Sequence, residues 1–122
     1  MWRIELGGKH GMGRLENLGP AINTAGNECF PTCRPSGELY FSSDGHANNM
    51  GGLDIYRAKE DTLSNEWKVE HLPSPINSNG DDFGMTFEGV HNRGFFSSNR
   101  ATGGRGWDKI YAVSYPAGVQ SV

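Results

Sequence analysis

The sequence has little with which to cross a membrane, hold nucleic acid or do chemistry. No stretch approaches the roughly 20 consecutive apolar residues that a spanning helix needs. There is no basic block, and the net charge is −3, so nothing draws nucleic acid to the surface. No charged segment followed by an apolar stretch resembles a signal peptide. Met1 runs straight into Trp2-Arg3-Ile4-Glu5-Leu6, which reads as a strand. Either the chain is cytoplasmic, or a signal and further domains lie outside it. G-x-S-x-G, H-E-x-x-H and P-loop patterns are all missing. Gly103-Gly104-Arg105-Gly106 lacks the following helix or Lys-Ser/Thr of a phosphate cradle. The histidines, His10, His46, His71 and His91, fall at unrelated positions. Only two cysteines occur, Cys29 and Cys33. On one strand they share a side but sit roughly 13 Å apart, too far for a disulfide. A zinc pair would need two more ligands, and no neighbouring His or Cys supplies them. Buried free thiols are the expectation, with a strained or turn-mediated disulfide as the alternative.

What the sequence has is turns and repetition. Glycine accounts for 18 of 122 residues, and hydrophobic residues for 35%, below the usual globular share. Aromatic, Ile and Val residues still argue against disorder. A period of about 54 residues runs through the chain. Leu18-Gly19-Pro20-Ala21-Ile22-Asn23 returns as Leu72-Pro73-Ser74-Pro75-Ile76-Asn77. Leu39-Tyr40-Phe41-Ser42-Ser43-Asp44 returns as Gly94-Phe95-Phe96-Ser97-Ser98-Asn99. Gly52-Leu53-Asp54-Ile55-Tyr56 returns as Gly106-Trp107-Asp108-Lys109-Ile110-Tyr111.

One unit reads as four short strands. Cys29 to Arg34 is extended, and Pro35-Ser36-Gly37-Glu38 is a turn. Leu39 to Ser43 is a strand, and Asp44 to Gly52 is a loop. Leu53 to Lys59 and Trp67 to Leu72 complete the unit, with Trp67, Val69 and His71 on one face. No sustained helical period appears. Four strands per roughly 40 to 55 residues is the blade of a β-propeller; a stacked solenoid normally uses shorter or helical repeats. The expected fold is therefore all-β, a propeller segment of four-stranded antiparallel blades, about two and a half in this chain.

Residues 1–26 would be the last strands of a preceding blade and a connector. Residues 27–80 would be a complete blade and connector, and 81–122 an incomplete blade of three strands. Such a segment cannot close alone, because a propeller needs about four blades or more. A fragment of a larger propeller is expected. The alternatives are a ring completed by oligomerisation, with residues 14–18 supplying a neighbour's fourth strand, and a smaller open structure.

The Tyr40-Phe41-Ser42-Ser43-Asp44 and Gly51-Gly52-Leu53-Asp54-Ile55-Tyr56 pair, with its second copy at Phe95 to Arg100 and Trp107 to Tyr111, resembles the WD40-like or TolB-like propeller repeat of the PD40 type. The connectors at Asn17 to Thr24 and Leu72 to Ser78 resemble the linker of Bacteroidetes-type envelope proteins. In that family such propellers stand beside OmpA-like peptidoglycan-binding domains or tetratricopeptide repeats. Arg34-Pro35-Ser36-Gly37 departs from the family's Ser-Pro-Asp-Gly turn, and Glu88 to Arg93 is looser still. The resemblance implies a non-catalytic protein- or glycan-binding scaffold in the periplasm or at the outer membrane. Its partners would be other blades, copies of itself, a protein or cell-wall glycan. A propeller hydrolase acting on glycan or peptide, and a lectin-like subunit completed by oligomerisation, are the alternatives.

Several residues are candidates for more than structure. Glu28 and Asp82 recur before the innermost strand and could line a funnel, where paired carboxylates about 5 to 9 Å apart do glycosidase work. A turn or capping role is the plainer reading. Asp44, Asn48 and Asp54 offer oxygens of the kind calcium takes, although Arg100 intrudes in the second copy. Asp54 and Asp108 are expected to fix turns by accepting backbone N–H bonds. Arg100 is a candidate for an anionic partner, and Trp67 and Trp107 for a recognition surface if they share an exposed face. No cofactor beyond calcium is suggested.

Overall fold

Runs rich in aromatic and β-branched residues, broken by Gly, Pro and Asn, become strands joined by turns. A computed structural model describes residues 1–4, 6, 15–100, 107–114 and 118–122. Those residues contain ten strands: β1 (Trp2–Ile4), β2 (Leu15–Asn17), β3 (Glu28–Cys33), β4 (Leu39–Ser43), β5 (Asp54–Asp61), β6 (Glu66–His71), β7 (Asp82–Phe87), β8 (Arg93–Ser98), β9 (Lys109–Ser114) and β10 (Gly118–Ser121). They form an antiparallel pair, β1-β2, and two four-stranded antiparallel sheets, β3-β4-β5-β6 and β7-β8-β9-β10. The fold is all-β. No helix among the described residues is long and apolar enough to cross a membrane.

The second sheet differs from the three strands expected of residues 81–122. Gly118–Ser121 pairs with β9 and supplies the fourth strand, Val119 opposite Val113. Residues 15–17, considered above as a strand lent to a neighbour, instead pair with β1 of their own chain. Arg14 lies outside the described residues.

The sheets stack through two apolar clusters. One joins the two four-stranded sheets through Tyr40, Ile55 and Leu72 on one side and Met85, Phe96, Tyr111 and Val113 on the other, with connector residue Ile76 between. The other joins β1-β2 to the first sheet through Leu18, Ile22, Leu39, Phe41, Tyr56 and Ala58. The first sheet is therefore covered on both faces. That is why Asp54, Ile55 and Tyr56 are all buried instead of alternating. Burying each large side chain of this kind contributes about 1.5 to 3 kcal/mol. The edge strand β6 keeps its alternation, with Trp67, Val69 and His71 turned inward and Glu66, Lys68 and Glu70 outward.

Repeat equivalence holds in three dimensions, with one shift. Phe41 stacks on Tyr56 at 5.8 Å and Phe96 on Tyr111 at 5.7 Å. Arg3 pairs with Glu16 at 2.9 Å across β1-β2, as Arg57 pairs with Glu70 across β5-β6. Ser43 faces Asp54 across its sheet, but Ser98 faces Lys109. Asp108 is thus one residue short of the position Asp54 fills, and it is exposed.

A bulge in the innermost strand also recurs. Pairing shifts between Cys29 and Thr32 in β3 and between Phe83 and Thr86 in β7. Phe30 sits at φ 54° and its repeat-mate Gly84 at φ 71°. Glycine takes this left-handed conformation freely, whereas Phe30 loses about 1 to 2 kcal/mol by it. Its ring lies 5.2 Å from Phe83, a contact of about 0.5 to 1.5 kcal/mol that offsets the strain. The bulge overturns the expected geometry of the cysteines. Cys29 pairs with Ser42 and Cys33 with Leu39, residues on opposite faces of β4, so the two thiols point apart. Both are free; Cys29 is half-buried and Cys33 exposed, not buried as the sequence suggests.

Candidate functional site

The polar residues that recur converge on the connectors, residues 18–27 and 72–81. Each connector leaves one sheet and enters the next; its ends pair with the flanking strands, as Leu72 N–H does with the Ile55 carbonyl at 3.2 Å, and the stretch between lies outside the strand ladders. Buried backbone N–H and C=O groups need partners, and side chains from both sheets supply them.

Asn77 is fully buried and closes both ends of this problem. Its Oδ1 accepts from the Ile55 N–H at 2.7 Å. Its Nδ2 donates to the Ile55 carbonyl at 2.8 Å and to the Leu72 carbonyl at 2.7 Å. Asn23 repeats the arrangement at the first junction, accepting from the Met1 amino group and donating to the Met1 carbonyl at 3.0 Å and to Asn17 Oδ1 at 2.9 Å.

Glu28 and Asp82 enter the same scheme. Thr24 donates its N–H to Glu28 Oε1 at 2.8 Å and its hydroxyl to Oε2 at 2.6 Å, and Ser43 donates to Oε2 at 2.6 Å. Ser78 donates its N–H to Asp82 Oδ2 at 2.8 Å, and Ser98 and Arg100 donate to Oδ1 at 2.7 and 2.9 Å. Desolvation pushes the Glu28 carboxyl up, but the bonds from Ser43 and Thr24 outweigh it and hold the group below the ordinary glutamate range. Asp82 is fully buried. These carboxylates organise turns. Asp82 is closed off from solvent, and each oxygen of both carboxylates accepts at least one hydrogen bond from the protein itself.

The calcium candidates are similarly occupied. Asp44 accepts from the Asn27 N–H at 2.7 Å and from Asn27 Nδ2 at 3.1 Å, which lowers its carboxyl below the usual value. Asp54 Oδ2 accepts from the Met50 N–H and faces His71 Nε2, each at 2.7 Å. Asn48 is exposed. Asp54 Oδ1 is buried without a hydrogen bond. Among the described residues no three His, Cys, Asp or Glu side chains gather to hold a metal.

Arg100 binds the protein itself. Its guanidinium donates to the Pro75 and Ile76 carbonyls and to Asp82, and lies 4.9 Å from the centre of the Tyr111 ring. In the first copy His46 takes over one of these roles, with Nε2 3.0 Å from the Ile22 carbonyl. Sequence comparison alone misses this exchange, because the acceptor is a main-chain oxygen more than twenty positions away. A related clip, Arg34, spans the four-stranded sheets: it donates to the His91 and Val90 carbonyls at 3.0 and 3.1 Å and covers the Phe87 ring at 3.9 Å.

The two tryptophans do not share a surface. Trp67 is half-buried against the cluster between β1-β2 and the first sheet, with the Arg3 guanidinium 5.5 Å from its ring. Trp107 is exposed ahead of β9. The glycine loop at 103–106 lies outside the described residues.

Open apolar surface occurs instead at the ends of the stack. The face of the second sheet turned away from the first carries Phe95 and Ile110, 48% and 55% exposed, beneath open grooves of about 440 and 420 Å³. The far face of β1-β2 carries Trp2, Ile4 and Leu15, all exposed. No family model, curated protein or solved structure matches the chain.

Proposed function

We propose that this chain is a run of β-propeller blades of the WD40-like or TolB-like kind, serving as a non-catalytic scaffold that binds protein or glycan in a bacterial envelope. In this reading the four-stranded sheets are blades, placed in the periplasm or at the outer membrane by the family resemblance. Their meander order, their face-to-face packing and the recurring connector all support it. One observation carries the non-catalytic part. Glu28 and Asp82, the acids a propeller hydrolase would use, have their oxygens taken by Thr24, Ser43, Ser78 and Ser98. Hydrogen bonds donated to a carboxylate by its own turn favour its ionised form, which works against a general-acid role.

The test compares wild type with Glu28→Gln on isolated peptidoglycan and on chromogenic glycoside and peptide substrates. Neither protein is expected to release product, while wild type sediments with its glycan or protein target. Turnover by wild type that Glu28→Gln abolishes would overturn the reading.

A further inference from the structure

The two exposed end faces are related by the repeat. Phe95 and Ile110 are the counterparts of Tyr40 and Ile55 in strand register. Within the chain Tyr40 is 5% exposed and Ile55 fully buried, because the second sheet covers them. The residues that do the covering include Tyr111, Val113 and Val119. Their counterparts on β1 and β2 are Trp2, Ile4 and Leu15, again by register. One end therefore displays the covered half of a junction, and the other end displays the covering half. Both are of the same chemical type as the junction already present inside the chain.

We propose that these faces bind each other between copies: the Phe95/Ile110 face of one chain receives the Trp2/Ile4/Leu15 face of a second. The contact repeats, from chain to chain, the packing of the second sheet on the first. It is heterologous, a head-to-tail contact that extends until it closes into a ring or grows into a filament. Aromatic anchors in the contact suit this role, and the Glu88–Arg93 pair at 2.7 Å supplies a polar rim beside the groove over Phe95. The inference depends on how the sheets stack and is indifferent to whether the module is catalytic.

Light scattering and sedimentation on the full chain test it. Wild type is expected to associate into multiples of 13.3 kDa, more so at higher concentration. Ile110→Glu disables one face and Trp2→Glu the other, both at exposed positions that leave the internal junctions intact. Each variant alone is expected to remain a folded monomer by circular dichroism. Mixed in equal amounts, they retain one good face each and should give a heterodimer and nothing larger. A folded wild type that remains monomeric at concentrations up to about 1 mM, a very weak contact for proteins, overturns the proposal. So does association that survives in either single variant, which would place the contact elsewhere. So does failure of the mixture to pair while wild type still associates.

Discussion

Replacing Asn77 by Ala should be among the most damaging single substitutions in the chain. Three hydrogen bonds of 2.7 to 2.8 Å end on this side chain, and it has no exposed surface. The Ile55 carbonyl keeps a bond from the Leu72 N–H at 3.2 Å. The Ile55 N–H and the Leu72 carbonyl lose the partner that Asn77 provides. An unsatisfied buried group costs about 1 to 3 kcal/mol, so two groups together cost about 2 to 6. Asn23→Ala removes the same motif where the side chain is only half-buried, so water replaces part of what is lost and about 1 kcal/mol is expected. Urea unfolding followed by tryptophan fluorescence reads both. With a slope of about 1 to 3 kcal/mol per molar, Asn77→Ala should move the midpoint by about 0.7 molar or more, and Asn23→Ala by a fraction of that. Asn77→Asp keeps the acceptor for Ile55 but turns a carboxylate toward two carbonyls, so it should be worse than Ala at neutral pH and recover partly in acid. Equal, small shifts for Asn77→Ala and Asn23→Ala would refute the view that buried backbone satisfaction holds the junction.

Two further outcomes follow from the same geometry. A Cβ on Gly52 would lie 1.9 Å from Asp81 Oδ1, the oxygen that accepts from the Leu53 N–H at 2.8 Å. Gly52→Ala should therefore cost about 1 to 3 kcal/mol in thermal unfolding, and an unchanged melting temperature would show that the loop yields. The Tyr56 hydroxyl is buried, with Asn49 alongside but no hydrogen bond closed. Burial, helped by the Asp54 carboxylate, pushes its phenol up to about 12. The unfolded chain ionises this group near about pH 10, so folding loses stability as pH rises from there toward 12. Tyr56→Phe should leave neutral stability nearly unchanged and flatten that alkaline decline. An alkaline limb identical to wild type would count against the assignment.

Strand placement was largely legible from residue order, because alternation and turn residues are local signals. Leu39–Ser43 coincides with the expected strand, and the inward set Trp67, Val69 and His71 emerges from simple alternation. The misses have non-local causes. β10 is a short strand opening on glycine, Gly118-Val119-Gln120-Ser121, and little but its pairing with β9 marks it. The opposed directions of Cys29 and Cys33 depend on a bulge that Phe30 disguises and only Gly84 announces. Asp108 aligns with Asp54 by letter, yet one inserted residue gives Lys109 that place in the ladder. For the candidate site, recurrence singled out Glu28 and Asp82, but their role depends on which oxygens remain free. That is decided by Thr24, Ser43, Ser78 and Ser98, whose approach is a property of the folded connector. Arg100 and His46 illustrate the limit most clearly. They are unlike in sequence and position, and each reaches the carbonyl of the connector isoleucine.

The stitches at the connectors also bear on how such a chain can be rearranged. Asp81 belongs to the second repeat but holds the Leu53 N–H of the first, and Asn77 ties the connector back to Ile55. A crossover placed between those residues and the N–H groups they accept from would part each donor from its acceptor, even if every sheet were inherited whole. The transplantable module is therefore a junction with half a sheet on either side. Chimeras cut through the exposed Lys59–Asn65 hairpin region should tolerate exchange better than chimeras cut at the connector.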